Sequence, residues 1–334
     1  MNVAALVAHT PLRAAAVGFG DRRPMPPRST GLAACSATRI RDCADGLLDS
    51  VRQVLRVAAA TGCRTQISHL VAVGERNHGS VARALELINA ARDAGLDVAF
   101  DIYPYLAGNA PLSQLLPARA QEGGEGPLRA RLTEPAVRAR VRDEWSGMPN
   151  SWSDIAVGGR TLPDLAADAG IDPPEVALDL VAEHGNGVQM VAGGRSERDL
   201  ADALTHPAGV IGSDGQARDP DVPTGRDTPH PRSFGCYPRL FAEYVRTGRI
   251  GIAEAVRKCT SAAERAGLAG RGVLRDGAAA DIVVFDPARI ADRATFTAPQ
   301  RYPEGISAVI VAGQTVVENN THNGARPGEI LRIR

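Results

Sequence analysis

Apolar positions along the chain recur at two spacings, and the stretch Thr65–Asn109 shows both. A short apolar strand, Thr65 to Leu70, carries His69 at its end. A helix follows over roughly 81–94, with apolar residues at Leu85, Leu87, Ile88 and Ala91. A second apolar strand, Val98 to Ile102, then runs into Tyr103-Pro104-Tyr105. Strand, helix and strand in so short a span make a βαβ unit. A histidine at the C-terminal end of such a strand sits where α/β barrels place their chemistry.

The same two spacings predict the remaining elements. Leu47, Leu48, Val51, Val54, Leu55 and Ala58 give helical periodicity over 45–61. Further helices are expected at 162–169, 174–184, 197–204, 237–246 and 252–266. Strand-like runs lie at 3–8, 29–32, 35–40 and 209–214, with 152–157 and 188–192 extended beside them. The Gly-, Pro- and Arg-rich segment 18–28 cannot be regular structure, and 111–147 reads as helices in a charged surface excursion. Residues 216–235 form a proline-rich loop. After residue 271 the pattern changes to short strands and Gly/Pro turns. The prediction is an α/β fold: an incomplete TIM-type (β/α) barrel over 1–271 and a small C-terminal β unit over 272–334. Six strands are expected for the barrel (3–8, 29–32, 35–40, 65–70, 97–102 and 209–214), against the eight that closure needs.

Composition narrows the class of function. The chain has 334 residues, 44% hydrophobic and 23% charged, as an ordinary soluble globular protein does. Its formal net charge of zero speaks against a nucleic-acid or anionic-membrane partner. No apolar run is long enough to span a bilayer, and the start lacks the basic flank of a signal peptide. Five scattered cysteines without a CxxC pair predict a reduced, cytoplasmic protein with neither a disulfide frame nor a zinc knuckle. Lys258 is the only lysine, which removes most Schiff-base and carbamylated-lysine chemistry.

The candidate chemistry lies at strand ends. His69 taken alone is an ordinary hydrogen-bonded histidine, and Asp214, in Gly212-Ser213-Asp214-Gly215, is an ordinary turn aspartate. Together they offer an imidazole for a metal and a carboxylate to carry a proton from water to a leaving nitrogen, as a metal-assisted hydrolase needs. Arg232, in the loop after Asp214, is placed to grip a substrate carboxylate as a fork. His78 and His230 read as surface loop residues.

Several motifs in order then point to one family. QISHL around His69, the Asn-His-Gly at 77–79, DVAFDIYPYLAG, IGSDG, HPRSFG with YPRLFAEYVR, and GVLRDGAAADIVVFDPARI resemble the N-acyl-D-amino-acid deacylases (D-aminoacylases) of the amidohydrolase superfamily. The resemblance runs over nearly the whole chain. It implies a metal-dependent TIM barrel with a small β-sandwich, zinc as cofactor, and an N-acyl-D-amino acid as small-molecule substrate, hydrolysed at its linear amide to a carboxylate and a D-amino acid. It assigns His69 to a metal-ligand position, Asp214 to the catalytic aspartate, and Tyr103 and Arg232 to positions that contact the substrate carboxylate. It also puts Arg39 where the family has a ligand histidine, and a guanidinium cannot ligate zinc. The family's HxH motif and its ligand cysteine fall before the point where this sequence starts. The expectation is therefore an N-terminally truncated member holding barrel strands three to eight and part of the sandwich, inactive or impaired. Two alternatives stand beside it: a hydrolase that rebuilds its site with other ligands or a partner chain, and a non-catalytic binding or assembly protein in which Arg39 pairs with Asp214. Acyl and amino-acid preference and oligomeric state stay open.

Overall fold

The computed structural model describes residues 3–4, 35–222 and 229–331. At its centre is a parallel sheet of four strands, β2 (Cys35–Arg39), β3 (Arg64–Ser68), β4 (Val98–Ile102) and β9 (Gly209–Ile211), neighbouring one another in that order. Register pairs Arg39 with Ser68, Ile67 with Phe100, and Ile102 with Ile211. Ile67, Phe100, Ile102 and Ile211 lie in register on one face of this sheet and are buried, with Val98 on the same face. Helices Leu47–Thr61 and Ser80–Asp93 supply the cover through Leu47, Val51 and Ala58, and through Val81, Ala84, Leu85 and Ile88. Asp42 sets the start of the first helix by accepting the Ala44 and Gly46 N–H groups at 2.6 and 3.0 Å.

A second sheet joins β5 (Gly108–Pro111), β8 (Gln189–Ala192), β6 (Ile155–Val157) and β7 (Arg160–Thr161), all antiparallel. It covers a separate apolar cluster that includes Leu112, Leu128, Leu132, Trp145, Ile155, Leu162 and Leu178. A third, antiparallel sheet near the C-terminus runs β10 (Ile282–Phe285), β11 (Ile306–Val311), β12 (Gln314–Glu318) and β13 (Thr321–His322). Strand β1 (Val3–Ala4) pairs in parallel with β14 (Ile330–Leu331).

The incomplete barrel is as expected in kind, but its strand roster is corrected. The described part of the first run pairs with the last strand of the chain and not with the barrel sheet. The expected strand at 29–32 and the irregular segment at 18–28 lie outside the described residues. The extended runs expected at 152–157 and 188–192 contain β6 and β8, and β5 and β7 join them from distant positions into one sheet. A helix, Arg232–Arg239, begins inside the expected loop and continues as a π-helical turn over Leu240–Val245. The described thiols Cys43, Cys63, Cys236 and Cys259 are free. Among the described residues, no helix is long and apolar enough to cross a membrane.

Candidate functional site

The C-terminal ends of β2, β3, β4 and β9 all open on one side, and the candidate residues gather there. His69 directly follows β3 and is 7% exposed. Its backbone is left-handed, with φ +39°, as is that of Asp214 beyond β9, with φ +46°. This conformation costs a β-carbon-bearing residue on the order of 1 kcal/mol, and such costs collect where a side chain must be aimed. Asp101, the one carboxylate in apolar β4, holds the His69 turn. Its Oδ1 accepts the His69 N–H at 2.8 Å, and its Oδ2 accepts from Gln66 Nε2 at 3.1 Å. Burial pushes the Asp101 carboxyl up to about 6.

Tyr103, just past β4, is fully buried and organises two arginines. The Arg232 guanidinium lies over its ring, Cζ 4.6 Å from the centroid, and Arg232 Nη2 meets Asp214 Oδ2 at 2.9 Å. Arg195, after β8, donates Nη2 to the Tyr103 hydroxyl at 2.9 Å and packs 5.1 Å from the same centroid. Gly108 makes this approach possible, since a β-carbon there would stand 2.5 Å from Arg195 Nη2. His230 locks the first turn of the Arg232 helix. Its Nδ1 accepts the Arg232 N–H at 3.0 Å, so Nε2 carries the proton and donates to the Ala107 carbonyl at 3.0 Å. The expected surface role for His230 is thus wrong: it is 2% exposed, stacked edge-on to Tyr105 and Phe296. His78 is exposed, as expected.

The fold therefore draws His69, Tyr103, Asp214 and Arg232 to one mouth and adds Asp101, Arg195 and His230, which the sequence reading did not select. Arg39 is the last residue of β2. Burial and the charge of Arg39 depress the His69 imidazole to about 4, with Asp214 opposing. Asp214 pairs with Arg232 and not with Arg39, which corrects the Arg39–Asp214 pair that the non-catalytic alternative carried.

A zinc ion does not fit the described residues. His69 Nδ1 is buried without a protein hydrogen-bond partner, as a ligand atom would be. Yet among the described residues no three His, Cys, Asp or Glu side chains stand close enough to share a metal. Zinc sites use three or four such donors. The neighbouring charges of Arg39 and Arg195 also oppose a cation beside His69. Two further buried donors, Arg195 Nε and Arg232 Nη1, likewise lack a protein partner.

Residues 40–317 match the amidohydrolase family profile. The chain is 34% identical over 337 residues to the N-acyl-D-glutamate deacylase of Alcaligenes xylosoxydans xylosoxydans, covering 96% of this chain and 62% of that protein. It is 32% identical over 298 residues to the N-acyl-D-aspartate deacylase of the same organism, covering 88% of this chain and 52% of that one. The crystal structure of an N-acyl-D-glutamate deacylase from Bordetella bronchiseptica, complexed with zinc and a phosphonate mimic of the tetrahedral intermediate, superposes with a TM-score of 0.71 at 30% identity. That match covers 90% of this chain and 56% of the other. The chain thus spans between half and two thirds of the length of these relatives.

Proposed function

The chain belongs to the amidohydrolase family, and from that premise we propose that its site holds an N-acyl-D-amino acid as the deacylases do, with hydrolysis of the linear amide lost or impaired. The supporting observation is the Tyr103–Arg232–Asp214 group. Arg232 is 6% exposed and is held by the Tyr103 ring, the Asp214 carboxylate and its own helix turn, so its fork is fixed before a ligand arrives. A preorganised guanidinium with a free buried N–H suits the ligand's carboxylate. Asp214, 46% exposed at its side chain, faces the mouth. There it is the base that would take a proton from the attacking water and return it to the departing amide nitrogen, giving a carboxylate and a free D-amino acid. The described residues do not assemble a zinc site, so the attacking water has no metal to activate it, and hydrolysis is expected to be weak.

A binding role without catalysis is the second reading, and the Arg232–Asp214 ion pair favours it, since the guanidinium occupies a carboxylate oxygen that a base would turn to the water. The test measures amine release from N-acetyl-D- and N-acetyl-L-amino acids, with and without added zinc. The expected result is no release from L-substrates and release from D-substrates at or near background in both conditions. Rapid, zinc-stimulated release of D-amino acids would show an intact metal enzyme and refute the impairment.

A further inference from the structure

The helix that carries Arg232 is buttressed from the C-terminal β unit. Between β10 and β11 the chain leaves its sheet for residues 286–305, an arm that packs on the barrel. Ile290 of this arm is 3% exposed in the cluster under the parallel sheet, and its carbonyl accepts from Arg246 Nη2 at 2.6 Å. Two residues on, the Asp292 side chain is 5% exposed. Its Oδ2 accepts the Tyr105 hydroxyl at 2.7 Å, and its Oδ1 accepts the Ala294 N–H at 2.9 Å. Arg239, at the end of the Arg232 helix, lies over the Tyr105 ring and stands 3.9 Å from the same carboxylate. In the first turn of that helix, a β-carbon at Gly235 would stand 1.8 Å from Asp292 Oδ1, so only glycine permits the approach.

Tyr105 and Phe296, the latter on the arm, each meet the His230 ring edge-on at 5.1 Å. His230 in turn accepts the Arg232 N–H at 3.0 Å. A continuous path of packed and hydrogen-bonded groups therefore joins Asp292 to the backbone of Arg232. Ile290 and its bond to Arg246 already dock the arm. A buried carboxylate is costly unless its hydrogen bonds are fixed, and this one is spent beside the helix start. We propose that Asp292 is a positioning residue for Arg232: through Tyr105, His230 and Gly235 it fixes the turn that aims the guanidinium, which makes the C-terminal unit part of the site. The inference rests on the Arg232 grip proposed above for its ligand readout alone.

Hydrogen–deuterium exchange of the unliganded chain tests it, alongside calorimetric titration with N-acetyl-D-alanine. Asp292→Ala is expected to speed exchange at 230–239 by ~10-fold or more, while β3, β4 and β10–β12 exchange as in the parent. The same variant is expected to bind N-acetyl-D-alanine ~10-fold more weakly. Asp292→Asn restores both, because its Oδ1 still accepts from Ala294 and its amide nitrogen can donate to the Tyr105 oxygen. Should Asp292→Ala unfold, Tyr105→Phe removes the same hydrogen bond, keeps the ring against His230, and gives the same local acceleration. Exchange at 230–239 as slow as in the parent, acceleration spread evenly over the barrel and C-terminal sheets, or an Asn variant no better than the Ala variant each overturns the positioning role. Faster exchange with unaltered ligand affinity overturns it too. No binding by the parent overturns the Arg232 grip, and the exchange pattern then decides the role of Asp292 by itself.

Discussion

His230 is neutral because both of its ring nitrogens are committed to backbone groups. Burial, with the nearby Arg232 charge, lowers its pKa to about 3 from the usual 6.5. The unfolded chain therefore binds a proton as the pH falls through 6.5, whereas the folded chain resists until about 3. Stability from this group is whole above pH 6.5 and is lost progressively toward pH 3. Asp101 has the opposite sign: its carboxyl is raised to about 6, so it destabilises the fold as the pH rises from 3.8 through 6. His230→Phe leaves the Arg232 N–H and the Ala107 carbonyl unpaired and should cost about 2–5 kcal/mol at pH 7. Urea unfolding at pH 7 and pH 5 should also show a smaller loss on acidification than in the parent; an unchanged pH dependence would place the titrating group elsewhere. At this scale the sequence was legible in part. His69 and Asp214 stood out because each follows an apolar run. Asp101 was hidden inside such a run, Arg195 among many arginines, and His230 in a proline-rich segment whose polarity suggested exposure when its partners are backbone atoms from other elements.

At the scale of elements, the short strand β9 carries Asp214 into place and is itself held from below. Lys258, fully buried on helix Ile252–Thr260, donates Nζ to the Gly209 carbonyl at 2.9 Å and to the His206 carbonyl. Burial lowers its pKa, with Glu254 opposing from 3.5 Å. The only lysine of the chain thus anchors a strand. Lys258→Met keeps the volume, removes a desolvated ammonium and leaves two carbonyls unpaired, for a net loss of about 1–3 kcal/mol. Amide exchange at 209–211 should accelerate more than exchange in β3 or β4; uniform acceleration would deny a local anchoring role. Helices and the parallel strands were readable because their apolar periods are long or continuous. In the second sheet β6 and β8 were readable as extended runs, but β5, β7 and the pairing were not, because the strands are two to four residues each and the pairings join distant parts of the chain.

At the scale of the whole molecule, the described residues form two separate apolar clusters, one under the parallel sheet and one under the segment between β4 and β9. Arg195 follows β8 of the second sheet, while His69, Tyr103 and Asp214 follow strands of the first. The mouth is therefore shared between both sheets, an arrangement that no single motif in the sequence encodes. What the motifs did carry was the family, since QISHL and IGSDG each mark a turn at a strand end and HPRSFG the start of the helix that carries Arg232. The central claim is that a fixed Arg232 beside Tyr103 grips the carboxylate of an N-acyl-D-amino acid. Calorimetric titration of N-acetyl-D-alanine and its L-enantiomer into the protein and into Arg232→Met tests it most directly. The account predicts saturable binding of the D-form, weaker binding of the L-form, and a loss of ~10- to 100-fold in D-affinity in the variant, the range of one charge-assisted contact. Equal binding of the two enantiomers, or an Arg232→Met variant that binds as tightly as the parent, would contradict it.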